Sequence, residues 1–139
     1  MELIPHVGAG ELRFGMDEAA VRAILGEPTQ RIDLAGRRTA HAFRQEVDVV
    51  FHAEQGLVGI TLATAPAQLF GAELFALDRG GIEALLRPHA ATTWDPLDAS
   101  TRTLSTSSLG LIVYFDTDEP TPCEVELASG TWHHGVRVD

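Results

Sequence analysis

The side chains of this sequence that could carry chemistry are its histidines, one cysteine, a cluster of serines and many carboxylates. His6, His41, His52, His89, His133 and His134 occur without any H-x-x-x-H or C-x-x-C spacing. A zinc-type site needs ligands converging at about 2.0–2.1 Å from the ion, usually paired on one element. His133 and His134 are adjacent, so on a strand they point to opposite faces. No metal site is expected. Cys123 opens an alternating run with Val125 and Leu127 and reads as a small buried hydrophobe. Ser105, Ser107 and Ser108 lack a G-x-S-x-G elbow. Gly8-Ala9-Gly10 lacks both the K-[ST] of a phosphate loop and the third glycine of a dinucleotide fingerprint, so it reads as loop. No cofactor is expected. Glu46 with Asp48, and Glu124 with Glu126, are spaced by two and share a strand face. Acid–base work would require burial that splits their pKa values, so they read as solvated charge.

The charge balance says more than any motif. The chain has 139 residues, with 20 acidic residues against 10 basic ones and a net charge of -10. Every basic residue is Arg. Residues 71–139 hold eleven acids and four Arg, against nine and six in residues 1–70. Phosphate binding needs Lys and Arg, so nucleic acid is excluded as a partner. A basic protein would be steered toward such a surface. No apolar run approaches the roughly 20 residues of a membrane span. Met1–His6 has neither a basic n-region nor a long apolar stretch, and the expected compartment is the cytoplasm. With one cysteine no internal disulfide is possible.

Two capped helices anchor the expected architecture. Asp17 is placed to N-cap a helix, with Met16 and Val21 at staple spacing. Ala20, Val21, Ile24 and Leu25 make its apolar face, and Gly26 and Pro28 end it. The device recurs at Phe75-Ala76-Leu77-Asp78, with Ile82, Leu85 and Leu86 apolar and Pro88 as the stop. Strand signals follow each helix: 29–33, 38–44, 47–53 and 57–64, then 91–95, 101–105, 109–115 and 123–129. The pattern predicts an α+β fold of two similar halves, 1–65 and 66–139, each one helix packed on its own antiparallel meander.

The stretch Leu12-Arg13-Phe14-Gly15-Met16-Asp17, with Val21, Leu25, Gly26 and Pro28, resembles the signature of the SmpA/OmlA (BamE) proteins, which are outer-membrane assembly lipoproteins. The same unit occurs in tandem in the β-lactamase inhibitor protein, and the two-half plan is similar to it. The resemblance implies a sheet used as a protein-binding surface, with no catalytic residues.

Together these features predict a non-enzymatic inhibitor, most concretely an intracellular immunity protein that blocks a basic toxin enzyme. Asp95, Asp98, Asp116, Asp118 and Glu119 would mimic phosphate, and Trp94 or Tyr114 would supply the apolar anchor. The alternative is a small ligand-binding module or enzyme with a pocket between the halves, using His52, Tyr114 and a carboxylate. A third possibility is a scaffold for a membrane-linked assembly.

Overall fold

In the computed structural model the described residues are 1–64, 66–96 and 99–129, with the backbone of 132–133 and 136–137. The chain opens with three two-residue strands, β1 (Leu3–Ile4), β2 (Gly8–Ala9) and β3 (Leu12–Arg13), which form a small antiparallel sheet. Helix α1 (Glu18–Leu25) follows. Its cap is Asp17, whose Oδ1 accepts from the Ala20 amide at 2.8 Å. This satisfies one of the amides that a first turn leaves orphaned. Gly26 ends the helix at φ 87, in the left-handed region where a Cβ would be strained.

Four strands come next: β4 (Gln30–Leu34), β5 (Arg38–Ala42), β6 (Val47–His52) and β7 (Gly56–Leu62). A short hairpin, β8 (Gln68–Leu69) and β9 (Ala72–Glu73), leads through a 3₁₀ turn at Leu74–Ala76 to α2 (Arg79–Leu86). Asp78 caps α2 as Asp17 caps α1, accepting from the Gly81 amide at 2.8 Å. Then come β10 (Thr93–Pro96), β11 (Thr101–Thr106), β12 (Leu111–Asp116) and β13 (Glu124–Ala128). The backbone pair β14 (Trp132–His133) and β15 (Val136–Arg137) completes the described chain.

Eight of these strands form one antiparallel sheet in the order β10-β11-β12-β13-β7-β6-β5-β4. This corrects the expectation of two halves with a helix on a sheet each. Among the described residues the chain is predominantly sheet, one eight-stranded sheet runs through it, and the α-helices are two eight-residue pieces on that sheet. The physical reason is the β7–β13 pair, which sets Val125 against Leu62 and Leu127 against Ile60. Two separate meanders would leave both strands as unpaired edges with exposed amides and carbonyls. Pairing them removes both edges and places all four side chains in one core.

One face of the sheet carries that core. Val47, Val49 and Phe51 of β6, Ile60 and Leu62 of β7, and Leu111, Val113 and Phe115 of β12 pack with Val21 and Leu25 of α1 and Ile82 and Leu86 of α2. The N-terminal strands and the β8–β9 hairpin contribute Leu3, Leu12 and Leu69 to the same core. Gly56 locks the entry to α1 against β7. It sits at φ 72, and a Cβ there would stand 2.5 Å from the Gly15 carbonyl oxygen. That close approach lets the Gly15 amide donate to the Leu57 carbonyl and the Leu57 amide donate to the Met16 carbonyl, tying β7 to the segment before the helix.

Candidate functional site

Strand alternation sends every second residue to the face away from the helices. The register places Asp95, Thr103, Tyr114 and Glu124 in one row across β10, β11, β12 and β13. A neighbouring row holds Asp48, Thr61, Glu126 and Ile112 across β6, β7, β13 and β12. Asp116 lies on the same face at the end of β12, opposite Thr101. Successive strands are about 4.8 Å apart, so Asp48, Glu124, Glu126 and Tyr114 form one cluster at the middle of the sheet. Asp48, Asp95 and Asp116 are exposed, while Tyr114, Glu124 and Glu126 are half-buried. The same face is apolar beside the cluster, where Val58 and Ala128 are buried against Val50. Val58 joins this face because a register shift between Val50 and Phe51 makes it the extra residue of a bulge.

Burial dominates the electrostatics. The Glu126 carboxyl is pushed up to about 7, first by burial and then by the neighbouring Glu124, against the pull of its hydrogen bond with Tyr114. Glu124 is raised by burial and by Asp48, and Asp48 by burial. Tyr114 is raised by burial, then by Glu126 and Glu124, so its hydroxyl stays protonated and donates to the Glu126 carboxylate. Such a cluster holds negative charge where water is partly excluded. A guanidinium or ammonium group brought to it would relieve the repulsion among the three carboxylates.

The expected site residues divide between the two faces. Asp95, Tyr114 and Asp116 lie on the acidic face. Trp94 lies on the other: its Nε1 donates to Glu83 of α2, and its ring centroid is 5.4 Å from that of Phe115. It finishes the packing of α2 on the sheet. Asp118 and Glu119 are exposed in the β12–β13 connection. Arg79 holds that connection, donating from Nη2 to the Asp116 carbonyl at 3.0 Å and the Thr117 carbonyl at 3.3 Å. Asp98 lies outside the described residues, as do the side chains of His133 and His134.

His52 and Tyr114 are not brought together. His52 pairs with Gly56 at one end of β7, whereas Tyr114 pairs with Glu124, beside the opposite end of β7 and three strands away. A cavity of about 460 Å³ does adjoin His52, bounded by Arg31, Arg37, Arg38, Glu18 and Phe51. All three of its arginines are engaged, Arg31 with Glu18 at 3.3 Å, Arg37 with Glu54, and Arg38 through Nε with the Ala35 carbonyl oxygen at 2.8 Å. Cys123 is half-buried with its Sγ 3.3 Å from the Tyr114 carbonyl oxygen, and its thiol is raised by burial and by Asp116 and Glu124. It is therefore a poor nucleophile. Among the described residues no group of three His, Cys, Asp or Glu side chains could hold a metal ion.

Sequence reasoning missed Asp48, Glu124 and Glu126. Glu124 and Glu126 are spaced by two and share a face, but read as solvated charge until β13 is known to be an inner strand with neighbours on both sides. Asp48 does not share a strand face with Glu46, which lies before β6 at φ 58.

No described protein family matches this chain, and no curated protein does. Among solved structures it is similar to YjgB, a DUF4309 family protein from Bacillus subtilis subsp. subtilis str. 168. The identity is 16%, the TM-score is 0.55, and 87% of this chain and 84% of that one are covered. That likeness is one of fold. A cysteine-rich secretory protein (SAV1118) from Staphylococcus aureus subsp. aureus Mu50 also matches, at 11% identity and a TM-score of 0.46, over 83% of this chain and 44% of that one. Among the described residues no helix is long and apolar enough to cross a membrane.

Proposed function

We propose that this chain is a non-enzymatic binding protein of the inhibitor or immunity class. It acts inside the cell by covering the positively charged surface of a basic enzyme, a toxin directed at nucleic acid being the clearest case. One observation carries this reading. Among the described residues on the strands of the eight-stranded sheet, the face away from the helices carries Asp48, Asp95, Asp116, Glu124 and Glu126 against one arginine, Arg38. An enzyme that grips phosphate must itself present Lys and Arg. The row of carboxylates offers such a surface a substitute for its substrate, and half-buried Tyr114 offers an apolar contact with a polar tip. Exposed acids at the rim of the face would speed encounter, and the partly dehydrated acids at its centre would slow release.

The test is affinity capture on this chain from the lysate of its native host at about 50 mM salt, repeated at about 500 mM, conditions chosen around the Debye length of roughly 10 Å at 0.1 M. The expected result is one captured basic enzyme whose activity falls on binding and whose retention falls as salt rises. Capture of an acidic or neutral protein that salt does not release, or of an enzyme that remains active in the complex, contradicts the proposal.

A further inference from the structure

The two edges of the eight-stranded sheet are built differently. β10 is four residues long, ends in Pro96, and has Trp94 tied to α2 through Glu83. Proline removes a ladder donor and blunts an edge against further pairing. β4 has none of these devices. Its five residues, Gln30-Arg31-Ile32-Asp33-Leu34, include no proline and are exposed along the whole strand. Ile32 is 48% exposed and Leu34 37%, two of the exposed large apolar residues of the molecule. Both lie on the face away from the helices, since they pair with Ala40 and Arg38 of β5. An unprotected edge with apolar side chains is a template for another strand.

The β4 sequence is self-complementary about Ile32. In an antiparallel pair of two β4 strands with the twofold axis at Ile32, Ile32 faces Ile32 of the copy and Leu34 faces Gln30. Arg31 of each strand then faces Asp33 of the other, twice, on the helix side of the joined sheet. Opposite charges directly across a strand pair stabilise it, and like charges destabilise it. Moving the axis to Arg31 would oppose two arginines, and moving it to Asp33 would oppose two aspartates. A parallel in-register pair would set like charge near like charge at both positions. The charge pattern therefore selects one register and one orientation. Arg31 is engaged with Glu18 at 3.3 Å, but its side chain is 56% exposed and remains within reach of a partner strand.

We infer that β4 is a homodimerisation edge, on which a second copy of this chain pairs antiparallel about Ile32 to extend the sheet across both molecules. The interface is isologous, as a closed twofold dimer requires. Five residues per strand make a contact smaller than a standard interface. The dimer is accordingly a weak, concentration-dependent one. It uses the opposite end of the sheet from Asp95 and leaves the acidic face of each copy uncovered, so it stands or falls independently of the proposed partner.

Sedimentation velocity on the full chain from about 1 µM to about 1 mM tests this over the Kd range of weak complexes. The expected result is a mass rising from the 15.0 kDa of one chain toward twice that value. Ile32→Lys, which sets two ammonium groups at the axis, should raise Kd at least about tenfold. Arg31→Asp should also raise it, and the double change Arg31→Asp with Asp33→Arg should bring it back to within about threefold of the original, because the swap restores both cross-strand pairs. All these positions are exposed, and unchanged thermal unfolding of each variant checks that it folds. A chain that stays monomeric to about 1 mM overturns the inference. So does a dimer indifferent to Ile32→Lys, or a charge swap that dissociates as readily as the single change.

Discussion

Replacing Glu126 with Gln should stabilise the protein, and by an amount that depends on pH. Glu126 sits on β13 between β12 and β7, and its carboxyl is pushed up to about 7 from an ordinary 4.5 by burial first and Glu124 second. Each pKa unit is worth about 1.4 kcal/mol, so the buried charge costs on the order of 3 kcal/mol. The sign follows from which state binds the proton more tightly. Below pH 4.5 the folded and unfolded chains both hold it, and the charge costs nothing. Between 4.5 and about 7 the unfolded chain releases its proton first, so Glu126 subtracts stability progressively. Above about 7 the full cost is present. Gln keeps the shape and a hydrogen-bonding amide for Tyr114 but cannot ionise. Urea unfolding of both proteins at pH 4.5, 6 and 8 would give the comparison. The variant should match the original chain at pH 4.5 and exceed it by up to about 3 kcal/mol at pH 8. A difference that does not change with pH, or a variant less stable at pH 8, would refute the argument that Glu126 is a carboxylate held in a partly dehydrated cluster.

The helices and the core carry further predictions. Asp78→Ala should cost about 1 kcal/mol in thermal or urea unfolding, through loss of the cap on the Gly81 amide. Gly80→Ala in the same helix should add about 0.5–1 kcal/mol, since its Cβ would meet nothing nearer than Asp78 Oδ1 at 3.8 Å. Gly81→Ala should gain less, because its Cβ would crowd that oxygen at 3.2 Å. His41 is 1% exposed, with its ring centroid 5.0 Å from that of Phe51. Burial lowers its pKa, and Glu18, 3.7 Å from Nε2, only partly opposes this. An NMR titration should therefore place the His41 midpoint below 6.5; a midpoint at or above 6.5 would mean that the ring is wetter, or more tightly paired with Glu18, than described.

What could be read from the sequence was local. Asp17 and Asp78 announce their helices because a cap is decided within four residues, and the strand runs announce themselves through alternation and turn residues. The pairing of β7 with β13 could not be read that way. It joins Leu62 to Val125 across nearly half of the chain, and nothing near either residue encodes it. The same long-range pairing makes Glu124 and Glu126 half-buried instead of solvated, so the centre of the acidic cluster was hidden with it. The two-residue strands β1, β2, β3, β8 and β9 are too short to show a period. The placement of Trp94 was within reach: once β10 is a strand, Trp94 and Asp95 are neighbours and must face opposite ways. Tyr114 and Asp116, spaced by two, must share a face, as they do.

The most direct test of the account compares three forms of the chain as bait in the host lysate: the original, Glu124→Arg with Asp116→Arg, and Glu27→Arg. The first variant reverses two charges on the acidic face, and the second reverses an exposed charge just beyond α1. Capture of one basic enzyme by the original chain and by Glu27→Arg, with at least about a tenfold loss in the double variant, is the predicted result. Equal capture by all three, or a captured enzyme whose binding follows Glu27 and ignores Glu124 and Asp116, would contradict it.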